Sequence, residues 1–271
     1  MNAPVVPAAT MADVQSDIDA RRLAIDRVGV RGLRYPLSFA DLGGEPQPTV
    51  AICSAYVGLP AERKGTHMSR LIEWIDDARH GLSLASLPAN MQTLMRKLDA
   101  TRAQVEFSFT WFVRKAAPMS GVESLMDYEV RVRADATLGG APENCLLTLG
   151  VVVPVTSLCP SSKAIADYGA HSQRSHVTLT VQPRAPIAIA DLIAVAEQEA
   201  SSELFGVLKR SDEKFVTERA YDHPKFVEDL VRSVAATLVG DARLLRFSVE
   251  AENFESIHNH SAYACIESQS S

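Results

Sequence analysis

The sequence predicts an α+β fold in which one antiparallel sheet carries helices on one of its faces. Three observations predict it. Apolar and polar residues alternate strictly in several strings, amphipathic stretches of helical period lie between those strings, and the order strand, strand, helix, helix, strand, strand runs over residues 28–137 and again over about 145–268.

Each element follows from its own pattern. In "QVEFSFTWFV" the residues Val105, Phe107, Phe109, Trp111 and Val113 share one face, and in "DYEVRVRAD" Tyr128, Val130, Val132 and Ala134 do the same. "HVTLTVQ" and "LLRFSVEAE" repeat the pattern with Val177, Leu179, Val181 and with Leu245, Phe247, Val249. Such strands bury one side and wet the other. "THMSRLIEWIDDARH" spaces Met68, Leu71, Ile72, Ile75 and Ala78 as a helix. "DHPKFVEDLVRSVAATLVGD" places Pro224 in a first turn, a Phe226, Leu230, Val234, Leu238 stripe along one face, and Gly240 as the stop. "IADLIAVAEQEASSELFGVLK" reads as one long amphipathic helix. Residues 1–26, rich in Ala, Pro and polar groups, read as a mobile arm, leaving 27–271 as one domain.

Bulk composition narrows the function. A chain of 271 residues with 46% apolar content can bury a substantial core. Lys+Arg 27 against Asp+Glu 33 gives a charge of −6, which argues against general nucleic-acid binding, although a small anion needs only a local basic cluster. No apolar run reaches the roughly 18 to 20 residues of a membrane span, and the first residues lack a secretory signal's basic and apolar regions, so a cytoplasmic protein is expected. Cys53, Cys145, Cys159 and Cys265 are widely spaced without a CxxC pair, and reduced thiols follow, three of them as small hydrophobes.

The stretch "PVTSLCPSSKAIADYGAHSQRSH" concentrates chemistry. Cys159 ends a β-forming run, Pro160 stops it, and His171 follows as the next strand begins. Strand ends display reactive groups, and Lys163 and Arg174 are basic neighbours of a kind that favours a thiolate. The plain alternative is a buried structural cysteine. A thiolate, an imidazole and a carboxylate that converge make a site for zinc or a similar ion. "KRSDEKFVTERAYDHP" offers Glu213 and Glu218, although a glutamate in such a charged run is usually a solvated loop residue. His258 and His260 lie in "ENFESIHNHSAYA", which a plain hairpin turn explains as well, and Glu228 should point away from the apolar stripe of its helix.

Six strings, "VGVRGLRYPL", "KGTHMSRL", "PVTSLCPSSK", "YGAHSQRSHVT", "KRSDEKFVTERAYDHPKFVEDLVR" and "ENFESIHNHSAYA", together resemble the GTP cyclohydrolase type IB family from about Val28 to Ala264. The resemblance implies a tunnelling fold of two ββααββ units per chain that assembles into barrels as a homotetramer. It implies conversion of GTP and water to 7,8-dihydroneopterin triphosphate and formate, the first step toward tetrahydrofolate, with a divalent metal, zinc or manganese. By matched motif, Cys159 and His171 are catalytic and metal-site residues, Glu213 and His258 further metal-site residues, and Glu228 a catalytic residue that anchors the guanine edge. Lys64, His67, Arg70, Lys163 and Arg174 are candidates for the triphosphate. The loop reads "CPSSK", with Ser161 where such family members often carry a second cysteine, and Ser161 is read as tolerated. The competing readings are another tunnelling-fold enzyme acting on a pterin or deazapurine, which NADPH titration would reveal if it were a reductase, and a silent purine- or metal-binding protein.

Overall fold

A computed structural model describes residues 13–139 and 144–268, so residues 1–12 of the expected arm lie outside it. The chain runs β1 (Ile25–Phe39), β2 (Gln47–Leu59), α1 (Met68–Ala78), α2 (Leu87–Leu98), β3 (Arg102–Ala116) and β4 (Glu123–Thr137). It continues through β5 (Leu146–Leu158), α3 (Pro160–Ile165), β6 (Ser172–Pro183), α4 (Ile189–Glu199), the two-residue β7 (Ser202–Glu203), α5 (Arg210–Asp222), α6 (Val227–Val239), β8 (Leu244–Asn253) and β9 (Ala262–Glu267). Among the described residues these strands pair antiparallel, in the order β1-β2-β3-β4-β5-β6-β8-β9 with β7 beside β5.

Alternation builds the sheet and places its core on one side. Val105, Phe107, Tyr128, Val130, Val132, Val151, Val153, Val177, Leu179 and Val249 are all buried, and Leu192, Leu230, Val234 and Leu238 of α4 and α6 belong to the same core. The other face stays bare: Val50, Ile52, Phe112 and Leu125 alternate out of phase with the buried set and are exposed.

Local detail corrects several sequence expectations. In α1 the buried stripe is Leu71, Trp74 and Ile75, while Met68 and Ile72 are exposed, because the indole turns inward and donates to the Asn90 carbonyl. In α6 Phe226 is the exposed N-cap and Val227 takes the buried place, so Pro224 precedes the helix instead of opening it. The expected helix over 189–209 ends at Glu199: Ser201 Oγ accepts from the Leu158 amide, Ser202 and Glu203 pair with β5, and Lys115 holds Glu203. A register shift beside Pro183 turns Leu244 inward and Leu245 outward. Of the three cysteines expected as hydrophobes, Cys53 is buried, Cys145 half-buried and Cys265 exposed, and burial raises the Cys53 thiol to about 11.

The start of α5 is locked by a buried carboxylate. Asp212 accepts from the Met119 and Ser120 amides at 2.8 Å each, from Ser120 Oγ at 2.6 Å and from the Lys209 amide at 2.8 Å. Burial opposes its charge, yet these hydrogen bonds outweigh burial and hold the carboxyl below its ordinary 3.8. A depressed pKa means that this stabilisation is present above about pH 4 and is lost as the pH falls through the native value. Asp212→Asn is therefore expected to lower the melting temperature at pH 7, with the deficit shrinking in melts below pH 4; a deficit independent of pH would contradict this.

Candidate active site

Cys159 directly follows β5 and His171 directly precedes β6, so the pairing of Leu158 with Ser172 sets the two side by side. The Cys159 amide donates to the His171 carbonyl at 3.1 Å. The intervening loop turns back through Gly169, whose φ of +85° is a left-handed conformation that suits glycine. Ser162 ties the loop together: its hydroxyl donates to the Cys159 carbonyl at 3.1 Å and accepts from the His171 amide at 3.2 Å, while its own amide donates to Cys159 Sγ at 3.4 Å. The Lys225 amide donates to the Leu158 carbonyl at 3.1 Å, which brings the start of α6 and its first-turn Glu228 to the same place. The Phe254 amide donates to the Arg174 carbonyl at 3.0 Å and anchors the loop that carries Glu255, His258 and His260.

These four segments enclose a cavity of about 300 Å³ lined by Cys159, His171, Glu228, His258, His260 and Glu255, with Gln173 and Asn253 among the rest of its wall. Larger cavities exist, including one of about 770 Å³ on the other side of the 159–171 loop, but that one has neither cysteine nor histidine in its wall. At about 300 Å³ the cavity is at the small end of ligand pockets. The His258 and His260 rings stack at 5.1 Å, and the Glu255 carboxylate stands 3.9 Å from His171 Nδ1.

The structure brings Cys159, His171, Glu228 and His258 together and leaves the other expected site residues outside the cavity wall. Glu213 is exposed in the first turn of α5. Lys163 donates to the Tyr221 carbonyl and lies over the Tyr221 ring, and Arg174 sits on the bare face of β6, so neither basic residue flanks the thiol. Lys64 pairs with Asp17, His67 with Asp13, and Arg70 is exposed on α1. Ser161 is exposed and is not part of the wall.

The donor set suits a divalent ion in kind: a thiolate and imidazoles are zinc ligands, and an imidazole with a carboxylate also accepts manganese. Among the described residues, no three His, Cys, Asp or Glu side chains stand close enough to hold an ion as a group.

Sequence reasoning missed a polar layer beneath the cavity. Gln173, Ser157, Ser175 and Asn253 are all buried and linked in a row. A signal for them exists. Ser157 continues the inward parity of Val151, Val153 and Val155, Gln173 and Ser175 that of Val177 and Leu179, and Asn253 that of Val249 and Ala251. Three neighbouring strands thus change from aliphatic to polar at the same end of their buried faces, where uncompensated polar groups would be costly.

A family model described as "Type I GTP cyclohydrolase folE2" matches residues 11–264. The chain belongs to that family. It is 54% identical over 254 residues to GTP cyclohydrolase FolE2 1 of Dechloromonas aromatica (strain RCB), covering 94% of both chains. It is 53% identical over 261 residues to GTP cyclohydrolase FolE2 of Burkholderia multivorans (strain ATCC 17616 / 249), covering 96% of both. Among solved structures it is similar to a uricase from Bacillus fastidious, with a TM-score of 0.55 at 10% identity over 89% of this chain and 92% of that one. It is also similar to urate oxidase from Bacillus subtilis 168, with a TM-score of 0.51 at 8% identity over 89% and 98%. At such identities the likeness concerns the fold alone, which is tunnelling-fold-like. Among the described residues, no helix of this FolE2 family member is long and apolar enough to cross a membrane.

Proposed function

We propose that this cavity is where the chain converts GTP and water to 7,8-dihydroneopterin triphosphate and formate, the first step of tetrahydrofolate biosynthesis. The carrying observation is the convergence of Cys159, His171, Glu228 and His258, from four separate segments, on one cavity in a FolE2 family member. Glu228 accepts hydrogen bonds from guanine N1 and the exocyclic amine together, a two-point contact that adenine does not offer. His171, where its Nε2 is not taken by the ion, accepts the proton lost by the attacking water and passes it to the ring nitrogen that departs when the C8–N9 bond breaks. Cys159, His171, His258 and Glu213 are the residues we assign to a divalent ion, which when bound lowers the pKa of a water for attack on C8. Lys64, His67, Arg70, Lys163 and Arg174 remain the proposed triphosphate partners.

We further read the chain as a type IB enzyme, with two ββααββ units per subunit and four subunits closing barrels around a channel. The exposed apolar residues Val50, Ile52, Phe112 and Leu125 on the bare face of the sheet favour an assembly. So does the cavity, whose roughly 300 Å³ is small for a whole nucleoside triphosphate. In this reading Glu213, exposed and outside its own chain's cavity wall, serves the cavity of a neighbouring chain. Cytoplasmic residence belongs to the same proposal, in keeping with four unpaired cysteines.

Protein stripped of metal and incubated with GTP, with zinc or manganese restored separately, tests the reaction. Metal-dependent appearance of both formate and pterin fluorescence is expected; GTP binding with neither product under either metal would make the chain a silent binder. Co-expression tests the shared site. Cys159→Ala and Glu213→Ala are each expected to be inactive, whereas their mixed assembly restores about a quarter of the sites if the two residues come from different subunits. A mixture as inactive as its components would return Glu213 to its own chain or remove it from the site.

A further inference from the structure

The polar row beneath the cavity has a direction. Asn253 Oδ1 is an acceptor, so the Ser175 hydroxyl, 2.7 Å away, donates to it. With its proton so used, Ser175 Oγ accepts from the Ser157 hydroxyl at 2.8 Å. Ser157 Oγ in turn accepts from Gln173 Nε2 at 2.8 Å. The Gln173 amide is thereby oriented with Oε1 toward His171 Nδ1, at 3.0 Å. An acceptor there requires the ring proton to be on Nδ1. The Ser256 hydroxyl, 3.5 Å from the same nitrogen, serves as donor or acceptor and does not decide between tautomers, whereas the Glu255 carboxylate at 3.9 Å also favours a proton there.

We propose that Gln173 is a positioning residue for the cyclohydrolase reaction. Oriented through Ser157, Ser175 and Asn253, it holds His171 as the Nδ1–H tautomer and leaves the Nε2 lone pair for the cavity. The row is built for this. Ser157, Ser175 and Asn253 are 1%, 0% and 3% exposed, so water cannot readily replace a missing partner, and a Ser157 hydroxyl that donates to Ser175 leaves only its lone pairs for Gln173, which fixes the amide with Nε2 toward Ser157. Because Nε2 is unprotonated, His171 is able to accept a proton there or to bind a metal ion, whereas the opposite tautomer would present N–H and do neither. The proposal rests on the reading of His171 as a site residue, but it concerns the resting protein and can be measured without turnover.

The test is the ring-nitrogen spectrum of the full-length assembled protein labelled with ¹⁵N-histidine, free of substrate and of paramagnetic ions, with the His171 signal assigned by its loss in His171→Asn. Wild type is expected to show a protonated Nδ1 and an unprotonated Nε2. Gln173→Glu, which keeps an acceptor facing Nδ1, is expected to retain that signature. Gln173→Leu and Ser175→Ala are expected to lose the single tautomer, and Gln173→Leu to lower kcat about ten- to a hundred-fold with a much smaller change in KM for GTP. A wild-type His171 protonated on Nε2 would overturn the proposal, as would an unchanged tautomer in both Gln173→Leu and Ser175→Ala. The wild-type spectrum alone decides the direction of the row, so a variant that fails to fold leaves the test intact. A protein with the Nδ1–H form that released no formate from GTP would overturn the functional reading and not the tautomer.

Discussion

Cys159→Ala is expected to lose GTP turnover by about a thousand-fold or more, the scale on which removal of a catalytic group acts. The protein should otherwise stay as it is. The strand-end geometry is held by main-chain groups and by Ser162: the Cys159 amide keeps its bond to the His171 carbonyl, and the Ser162 hydroxyl keeps its bond to the Cys159 carbonyl. What alanine removes is a half-buried sulfur whose one side-chain hydrogen bond is a 3.4 Å contact with the Ser162 amide. The melting transition should therefore shift by the equivalent of about 1 kcal/mol or less. Formate release measured beside a thermal melt separates the two effects. A variant that keeps most of its turnover would remove Cys159 from the chemistry.

Glu228→Ala is expected to cost about a hundred- to a thousand-fold in kcat/KM for GTP, the combined worth of two hydrogen bonds to a charged acceptor. Glu228 is exposed, sits in the first turn of α6 and faces a cavity, so its loss should disturb folding little. The diagnostic is selectivity. Inosine triphosphate lacks the exocyclic amine, so wild type should use it less well than GTP, and in the variant that preference should largely vanish. An unchanged KM and an unchanged preference would place the guanine edge elsewhere.

The legibility of the fold followed the strength of each pattern. β3, β4 and β6 were readable because every second residue is apolar over many positions, and a slip by one would have turned the core outward. Leu245 was misread because the shift beside Pro183 breaks that parity at one residue, and a bulge leaves little trace in composition. The end of α4 was hidden because Ala, Ser and Glu fit a continuing helix; only the β5 edge and Lys115, distant in sequence, draw Ser202 and Glu203 into a strand. Such tertiary partners override local propensity.

The candidate site was legible where unusual residues stand in recurring company. Cys159, His171, Glu228 and His258 stand in strings that resemble a known family, and folding brings them to one cavity. Glu255 lies in one of the same strings but was not singled out, and His260 was named there beside His258 without a role of its own. Gln173, Ser157 and Ser175 are ordinary strand residues one at a time, and they become informative only when three neighbouring strands are aligned and their polar ends coincide. In the structure Lys64 and His67 are paired with Asp17 and Asp13 and Arg70 is exposed on α1, so nothing within one chain joins them to the cavity.

The most direct measurement is a crystal structure of the assembled Cys159→Ala protein with GTP bound, since that variant should bind the nucleotide without consuming it. The account predicts the guanine edge on Glu228, C8 beside residue 159 and His171, and the triphosphate extending out of the roughly 300 Å³ cavity toward basic groups of a neighbouring subunit. GTP seated in another cavity, with Glu228 and His171 untouched, would contradict it.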